Sequence, residues 1–362
     1  MAKFLFLLDS KDYGGAESYI LAMINLMIKT NRITVITRKS RFSEMIATDP
    51  QITLLEEDFD NLLKVKFQVE RIISEYDICF CVRWKAIAVG SMVKKKIDFK
   101  MISMIMTVFE PGTRADGNNN IKRDIELISM LNEYSNKIIV TANCAKESIV
   151  NYGVKDEKIF ILNDAIDDIK SFEIKGNDNR QKIKIAYCGR LSYEKGPDIL
   201  LEAFCHLVKE KKIIRDIELH YIGEGLMKKG LTEFVKQYDI EQYVIFHGFV
   251  TKPQLVMKDM DFLVIPSRHD AIPLSAIEAM CLEKPVVAAR IGGLPECVIN
   301  TENGYLYEDK EELREVLYKM TLLEPFELER MGKKSREIWL EKFSIDKFAS
   351  GIKKVCDEVI KQ

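Results

Sequence analysis

The sequence predicts an α/β protein made of two doubly wound domains, each with a parallel sheet covered by helices. Short apolar runs alternate with longer amphipathic stretches, one polar segment near the middle interrupts this alternation, and the alternation then restarts. The chain has 362 residues and 47% hydrophobic content, which is enough for two cores of ordinary size. A single small binding module is therefore excluded.

The first half of the chain begins this alternation. Its apolar runs are predicted to be buried strands, and its amphipathic stretches are predicted to be helices. The strands are Lys3–Leu8, Ile33–Thr37, Asp77–Val82, Met101–Val108 and Lys137–Val140, and the helices are Ala16–Lys29, Leu62–Tyr76 and Ile121–Tyr134. We assign residues 1–165 to a first domain and the polar, turn-rich residues 166–181 to a linker.

The second half repeats the pattern over residues 182–343, and residues 344–362 form a last helical segment. The predicted strands are Ile183–Cys188, Ile217–Ile222, Val244–Phe246, Phe262–Ile265 and Pro285–Ala288, and the predicted helices are Pro197–Val208, Leu226–Tyr238 and Leu274–Cys281. These boundaries predict a second α/β domain that follows the first in sequence.

Composition narrows the function classes. The 54 basic and 56 acidic residues give a net charge of −2, so no overall field favours nucleic acid as a partner. The eight cysteines form no CxxC pair, and no histidine lies at zinc-ligand spacing, which predicts a reduced, metal-free, cytoplasmic protein. No apolar run approaches the roughly 20 residues that a membrane span requires.

In parallel sheets of this kind, ligands bind outside the carboxyl ends of the strands. The loop after the first predicted strand carries Gly14 and Gly15 just before a helix. Paired glycines let the backbone approach an anion, to which the N–H groups of the first helical turn can point. A plain tight turn explains the pair equally well, and the third glycine of a dinucleotide fingerprint is missing.

A second loop follows the strand that ends at Cys188. Arg190 and Lys195 flank it, and Gly196 and Pro197 turn it into a helix. A guanidinium and an ammonium placed in this way can converge on one polyanion, for which a diphosphate is the natural partner. The alternative is a pair of solvated surface cations.

A third segment carries two carboxylates eight positions apart. Pro273 suits the first turn of a helix, which places Asp270 in the preceding loop and Glu278 inside an otherwise apolar helix. Burying Glu278 without a partner would cost several kcal/mol. Its partner is therefore either structural, such as an arginine or backbone N–H groups, or the hydroxyl of a ligand.

Taken together, these motifs resemble the retaining glycosyltransferases of family 4, which have the GT-B fold of two Rossmann-like domains facing across a cleft. The resemblance covers nearly the whole chain. It rests on the order and spacing of GGAE at Gly14–Glu17, GRLSYEKGPDILLEAF at Gly189–Phe204, IGEG at Ile222–Gly225, FHGFV at Phe246–Val250, the Asp270 to Glu278 pair, GGLPE at Gly292–Glu296 and NGYL at Asn303–Leu306.

The resemblance implies transfer of a sugar from a nucleotide diphosphate donor, with retention of configuration and with neither a metal nor another cofactor. The second domain would bind the donor, the first would bind most of the acceptor, and the C-terminal helices would pack back towards the first domain. Arg190 and Lys195 would hold the diphosphate and stabilise its developing charge. Glu278 would accept hydrogen bonds from the ribose, and Asp270 would hold hydroxyls of the donor sugar.

The resemblance also assigns backbone contacts to the donor. Gly14 and Gly15 would close over the phosphates. The backbone at Leu274 and Ser275 would meet the phosphates at a helix N-terminus. Gly223 and Val250 would border the base.

Two departures from the family pattern bear on the sugar. Asp270 is one methylene shorter than the usual glutamate, and Ala271 stands where glycine is common. Phe109 and Glu110 lie where the family often has a histidine. Glu110 either does related work or is a solvated loop acid; we assign it, with Arg114, to the acceptor or sugar region, and we expect residues 112–120 to close over the acceptor.

The sequence thus predicts a glycosyltransferase that uses a nucleotide sugar, with UDP as the family-level donor base, and a glycan or lipid-linked acceptor in bacterial surface polysaccharide synthesis. The alternatives are a sugar-nucleotide epimerase and a catalytically degenerate subunit that assists a partner glycosyltransferase. Lys94–Lys96 could give a weak peripheral contact with the inner face of the membrane, or they could form a solvated helix end. The oligomeric state is left open.

Overall fold

The structure is a computed structural model in which the described residues form two units. Packing assigns Met1–Ala165 with Asp346–Gln362 to the first unit, and Ile166–Ile345 to the second. The sheet found in each unit is entirely parallel and is flanked by helices, which confirms the predicted class of two Rossmann-like α/β domains. The described residues are 1–11, 14–109, 121–169, 182–210 and 216–362.

The sheet of the first unit has the strand order β3-β2-β1-β4-β5-β6-β7 over the described residues. Its central strands are buried on both faces, which is why they are apolar throughout instead of alternating. The strands are β1 Lys3–Leu8, β2 Arg32–Thr37, β3 Ile52–Glu56, β4 Ile78–Val82, β5 Met101–Ile105, β6 Lys137–Val140 and β7 Ile159–Ile161. The helices that follow them are α1 Gly15–Met27, α2 Arg41–Ile46, α3 Leu62–Ile72, α4 Arg83–Lys94, α5 Ile121–Tyr134 and α6 Asn143–Asn151.

The sheet of the second unit has the order β10-β9-β8-β11-β12-β13 over the described residues. Its strands are β8 Lys182–Cys188, β9 Asp216–Ile222, β10 Val244–Gly248, β11 Phe262–Ile265, β12 Val286–Ala289 and β13 Gly304–Tyr307. Its helices are α7 Pro197–Lys209, α8 Lys228–Gln237, α9 Gln254–Met257, α10 Leu274–Cys281, α11 Leu294–Cys297, α12 Lys310–Leu322 and α13 Pro325–Lys342.

The last helix, α14 (Ile345–Ile360), packs almost entirely within the first unit. The ring of Phe348 meets that of Tyr19 edge to face at 4.9 Å, and Lys137 lies 3.3 Å from the carboxylate of Glu358. The first unit is therefore completed by residues from the far end of the chain.

Strand order places the ligand-binding edge of each sheet. In both units the order reverses beside the first strand, between β1 and β4 in the first and between β8 and β11 in the second. Loops that leave the carboxyl ends of such neighbouring strands diverge and open a crevice, where ligands bind in sheets of this class. The loops after β8 and β11 carry Arg190, Lys195 and Asp270, the residues that the sequence singles out.

Several elements differ from the sequence prediction. β5 ends at Ile105 and not at Val108, and β3 and α4 are not among the predicted elements. β3 is partly exposed, so it lacks the continuous apolar signal of a buried strand. α4 begins directly after β4, at Arg83, without a side-chain cap from the described residues or any loop to mark its start.

Candidate active site

The loop after β8 turns back through a short 3₁₀ segment, Tyr193–Lys195, and enters α7 at Gly196. Gly196 has a φ of 62°, in the left-handed region that favours glycine. A Cβ atom at this position would lie 1.9 Å from the carbonyl oxygen of Pro266, which follows β11. Glycine is therefore required here, and it brings the two loops together.

This close approach joins two of the residues predicted from the sequence. Lys195 Nζ lies 2.5 Å from Asp270 Oδ2, and the Ser267 hydroxyl donates to the same oxygen at 3.1 Å. The side chain of Lys195 remains 31% exposed, so its ammonium is paired but still accessible to a ligand. A cation held in this way can contact an incoming anion without moving far.

The structure does not bring Arg190 to the same point. Its side chain is 71% exposed, and its ionic partner is Glu194, at 3.9 Å. Of the two cations predicted to hold a diphosphate, only Lys195 is placed by a close contact with another site residue.

Glu278 projects from α10 and is largely buried. Gln254, the first residue of α9, donates from Nε2 to Glu278 Oε1 at 2.5 Å. Burial raises the pKa of Glu278 to about 7, and the hydrogen bond from Gln254 opposes that rise. The carboxyl group therefore lies close to its titration point at neutral pH.

Backbone contacts build the edge at β9 and β10. Gly223 has a φ of 147°, and a Cβ atom on it would lie 1.9 Å from the Gly189 carbonyl oxygen. Its N–H donates to the carbonyl of Gly248 at 2.9 Å, and Val250 follows, half-buried, in the next loop. Gly223 and Val250, predicted to border a nucleotide base, thus lie in loops that a hydrogen bond joins.

Leu274 and Ser275 are the first two residues of α10, directly after Pro273. No side chain of the described residues caps this end of the helix. The first N–H groups of a helix have no partner within it, and together with the helix dipole they favour an anion. The predicted backbone contact with a phosphate is compatible with this geometry.

Arg268 is a residue of this edge to which sequence reasoning assigned no role. It forms a bidentate pair with Asp198 at 2.9 and 2.6 Å, and it donates to the Tyr193 carbonyl at 2.7 Å. Its guanidinium also lies 4.0 Å from the centre of the Tyr193 ring. Burial alone would raise the pKa of Asp198, but the hydrogen bonds and the charge of Arg268, together with backbone hydrogen bonds, leave this pKa lowered.

Through these contacts Arg268 holds the turn that carries Lys195 in place; we call this arrangement the clamp. A signal for it exists in the sequence, because an arginine two positions before Asp270 stands in the same loop. That signal does not distinguish a structural clamp from a ligand-binding arginine.

The carboxyl edge of the first unit holds Gly14, the N-cap of α1, and Gly15, its first residue. The N–H of Gly14 donates to Glu17 Oε2 at 3.1 Å, so the side chain of its own helix satisfies this group. The other oxygen of the buried Glu17 lies 2.8 Å from Arg83, which has a φ of 69°. The glycine pair thus lies beside an ion pair.

A second charged group on this edge is centred on Arg38, which follows β2. Its guanidinium contacts Asp9 and Asp58 at 2.9 Å and Asp60 at 3.0 Å, and Lys85 adds a 2.6 Å contact with Asp60. The hydrogen bonds from Arg38 and Lys85 hold the pKa of Asp60 well below its usual range. We call these five residues the Arg38 network.

The remaining predicted residues, Glu110 and Arg114, and the predicted acceptor loop at 112–120 lie outside the described residues. Within the described part of the chain, no group of three or more His, Cys, Asp or Glu side chains could hold a metal ion. None of the helices described there is both long and apolar enough to cross a bilayer.

The part of the chain that forms the carboxyl edge of the second unit matches a known protein family. Residues 167–338 match the family model described as "Glycosyl transferases group 1". The matched segment falls within the second unit and covers just under half of the chain. It contains every site residue discussed above for the second unit.

Two relatives illustrate the similarity across longer stretches. An uncharacterized glycosyltransferase of Methanocaldococcus jannaschii is 29% identical over 62% of this chain and 60% of its own length. The N-acetyl-alpha-D-glucosaminyl L-malate synthase of Bacillus anthracis is 26% identical over 67% of this chain and 63% of its own. The chain thus spans less than two thirds of the length of these relatives.

Solved structures match almost the whole chain in fold. HepE of Anabaena in complex with UDP superposes with a TM-score of 0.81 at 18% identity, over 98% of this chain and 99% of that one. The lipopolysaccharide outer core galactosyltransferase WaaB superposes with a TM-score of 0.77 at 18% identity, over 98% and 99%. At such identities the likeness establishes the two-domain fold.

Proposed function

We propose that this protein is a retaining, metal-independent glycosyltransferase that moves a sugar from a nucleotide diphosphate sugar to a glycan or lipid-linked acceptor. One observation carries the proposal. The Lys195–Asp270 contact lies at the carboxyl edge of the unit that matches the glycosyltransferase family. A cation, a carboxylate and an uncapped helix start are the groups needed to bind a diphosphate and the sugar attached to it.

The proposed reaction needs no protein nucleophile. The bond from the sugar's anomeric carbon to the diphosphate oxygen breaks, and a bond to the acceptor oxygen forms on the same face. The leaving phosphate oxygen takes the acceptor proton, so atoms and charges balance. Lys195, Arg190 and the first N–H groups of α10 stabilise the charge that develops on the diphosphate, the role a metal ion plays in other enzymes.

The donor site of the proposal uses the remaining residues of the second unit. Glu278 accepts hydrogen bonds from the ribose hydroxyls, and Asp270 turns from Lys195 to the hydroxyls of the sugar. We propose UDP as the donor nucleotide. Solved structures with this fold include HepE in complex with UDP and with UDP-glucose, which supports the choice.

For the acceptor we propose a glycan or lipid-linked sugar bound mainly by the first unit, in synthesis of a bacterial surface polysaccharide. Relatives and neighbours with such roles support this class. They include a poly(ribitol-phosphate) alpha-N-acetylglucosaminyltransferase of Staphylococcus aureus and the lipopolysaccharide galactosyltransferase WaaB. The charged edge at Arg38 and Arg83 supplies donors and acceptors for sugar hydroxyls.

The decisive experiment measures release and transfer of labelled sugar from UDP, GDP and ADP sugars, with EDTA present, by wild type and Lys195→Ala. We expect transfer from one nucleotide class and a loss of about 100- to 1,000-fold in the variant. Interconversion of the free nucleotide sugar without acceptor would instead identify an epimerase. Nucleotide binding without transfer to any acceptor would identify a degenerate subunit.

We further propose a weak peripheral membrane contact on the cytoplasmic side. The ammonium of Lys94 is less available for lipid, since it donates a hydrogen bond to Asn136 at 2.7 Å. On neighbouring α3, however, Leu63 and Phe67 lie one turn apart and are 62% and 61% exposed. Such side chains, with the exposed Lys64 on the same helix and the exposed Lys96 near Glu70 of α3, fit an anionic lipid surface.

Sedimentation with phosphatidylglycerol vesicles tests this contact. The wild type should co-sediment at low salt and not with neutral phosphatidylcholine vesicles. A Phe67→Asp variant should stay in solution, whereas Phe326→Asp, which changes a 69% exposed ring on α13, should behave as the wild type does. Equal binding of both variants would contradict the proposal.

A further inference from the structure

Gln254 occupies a position that no sequence motif marks. It begins α9, the short helix after β10, and α9 packs against α10. Its amide nitrogen donates to Glu278 Oε1 at 2.5 Å across 24 residues of sequence. This hydrogen bond links the start of α9 to the carboxyl group on α10.

We propose that Gln254 is a positioning residue of the donor site, whose amide holds the Glu278 carboxylate so that its other oxygen accepts the ribose hydroxyls of a nucleoside diphosphate. This inference rests on the proposed function. It adds a residue, and a dependence on pH, to the site described above.

The physical reason is the environment of Glu278. The group that faces it from β8 is the Cys188 thiol, whose pKa is raised by burial and by the Glu278 carboxylate. The amide of Gln254 faces it from α9, and no cation among the described residues lowers the pKa of Glu278. Burial therefore favours the protonated acid, and Gln254 provides the hydrogen bond that favours the carboxylate.

The ionisation state decides what Glu278 can do. A carboxylate only accepts hydrogen bonds, so its free oxygen can receive the hydroxyls of a ribose. In a protonated acid whose Oε1 accepts from Gln254, the proton lies on the other oxygen, which then acts as a donor and accepts a ribose hydroxyl less well. Because the pKa of Glu278 is raised to about 7, removal of Gln254 shifts the balance within the neutral range.

The test is calorimetric titration with UDP from pH 5.5 to 8.5 of the wild type, Gln254→Met, Glu278→Gln and the double variant. Methionine keeps the length of the side chain and removes the N–H donor. We expect wild-type affinity to rise with pH towards a plateau. Gln254→Met should bind about tenfold more weakly at pH 7, with the midpoint of its pH curve moved upward and the loss partly recovered at pH 8.5.

The double variant separates positioning from simple packing. In the Glu278→Gln background, only the pH dependence of the UDP phosphate itself should remain, and adding Gln254→Met should cause no further loss. A loss of equal size in both backgrounds would overturn the inference, because Gln254 would then not act through the carboxylate.

A second substitution at the same position distinguishes an electrostatic effect on Glu278 from a local folding defect. Gln254→Glu places a carboxylate against Glu278, and it should weaken UDP binding more than Gln254→Met at pH 7. Wild-type affinity in both Gln254 variants would overturn the inference while leaving the donor site intact. Absence of binding by the wild type to UDP, GDP and ADP would instead remove the proposed function, and the inference with it.

Discussion

The two units share a strand order but differ in how their carboxyl edges are built. In the second unit the loops meet through backbone at glycines, as at Gly196 against Pro266 and Gly223 against Gly189, in addition to side-chain pairs such as Lys195 with Asp270. In the first unit, side chains make the contacts, through the Arg38 network and the pair of Arg83 with Glu17.

This difference leaves a clearer sequence signature in the second unit than in the first. A backbone contact that excludes a Cβ atom permits a single residue type, so it leaves glycines at fixed spacing. Ion pairs among side chains can be made by many combinations of residues. The family model matches residues 167–338, which lie in the second unit.

The largest expected effect tests the backbone side of this comparison. Gly196→Ala forces a Cβ atom into the Pro266 carbonyl and strains a left-handed φ, which should destabilise the second unit by about 3 kcal/mol. Urea unfolding would measure the loss, and UDP affinity should fall with it.

The matched control is Gly230→Ala in α8, where a new Cβ atom would meet nothing within 4 Å. That change should stabilise the helix by about 0.5–1 kcal/mol. If both variants unfold like the wild type, the glycine contact does not shape this edge.

The second prediction compares one buried carboxyl in each unit. Burial raises the pKa of Asp164 in the first unit, and of Glu278 in the second, to about 7. Such acids are protonated more readily in the folded state, so they cost stability as pH rises from about 4.5 to 7. Asp164→Asn and Glu278→Gln should each stabilise the protein by about 2 kcal/mol at pH 8, as measured by thermal unfolding.

The gain should fade as pH decreases below about 4, where the folded and unfolded states both carry the proton. A gain that does not change with pH would show that burial of charge is not its cause. Only Glu278→Gln should also weaken UDP binding, since Asp164 lies in the other unit.

The third prediction concerns the clamp on Lys195. Arg268→Lys keeps the charge but loses the bidentate geometry with Asp198, so the turn at Tyr193–Lys195 should loosen. We expect kcat to fall about tenfold with little change in the donor KM. Arg290→Lys, at an exposed pair with Glu308, is the control and should leave both constants unchanged. A change confined to KM would argue against a positioning role.

The smallest effect is expected in the first unit. Arg38→Met removes the centre of its network, which should raise the pKa of Asp60 and increase the acceptor KM about threefold, since the partners Asp58 and Asp60 are exposed and such pairs contribute little. The donor KM should not change. Initial rates at fixed donor concentration would measure this, with Lys3→Met, at an exposed pair with Glu75, as the control. An increase in the donor KM would break the distinction between the two edges.

Periodicity predicted the architecture well because buried parallel strands are apolar throughout. β1, β11 and α10 have the bounds that the sequence predicts. Periodicity does not predict elements that lack this signal. β3 is half-exposed, and α4 begins without a side-chain cap from the described residues. A strand or helix of this kind is recognised only once its neighbours are in place.

For the site, the sequence indicated Lys195, Asp270 and Glu278 because charges in apolar or loop-to-helix settings are conspicuous. It did not indicate Gln254 or Arg268, since their roles depend on partners 24 and 70 residues away. The roles assigned to the first three residues, and to Arg190, Glu110 and Arg114, stay predictions.

The return of α14 to the first unit has a consequence for synthesis of the protein. A ribosome that adds 5–20 residues per second takes roughly 10–35 s to pass from the end of residue 165 to residue 346. During that time Tyr19 lacks the ring of Phe348, so the nascent first unit displays an uncovered apolar surface. The first unit, although its synthesis begins first, is therefore completed only after the whole second unit has been made.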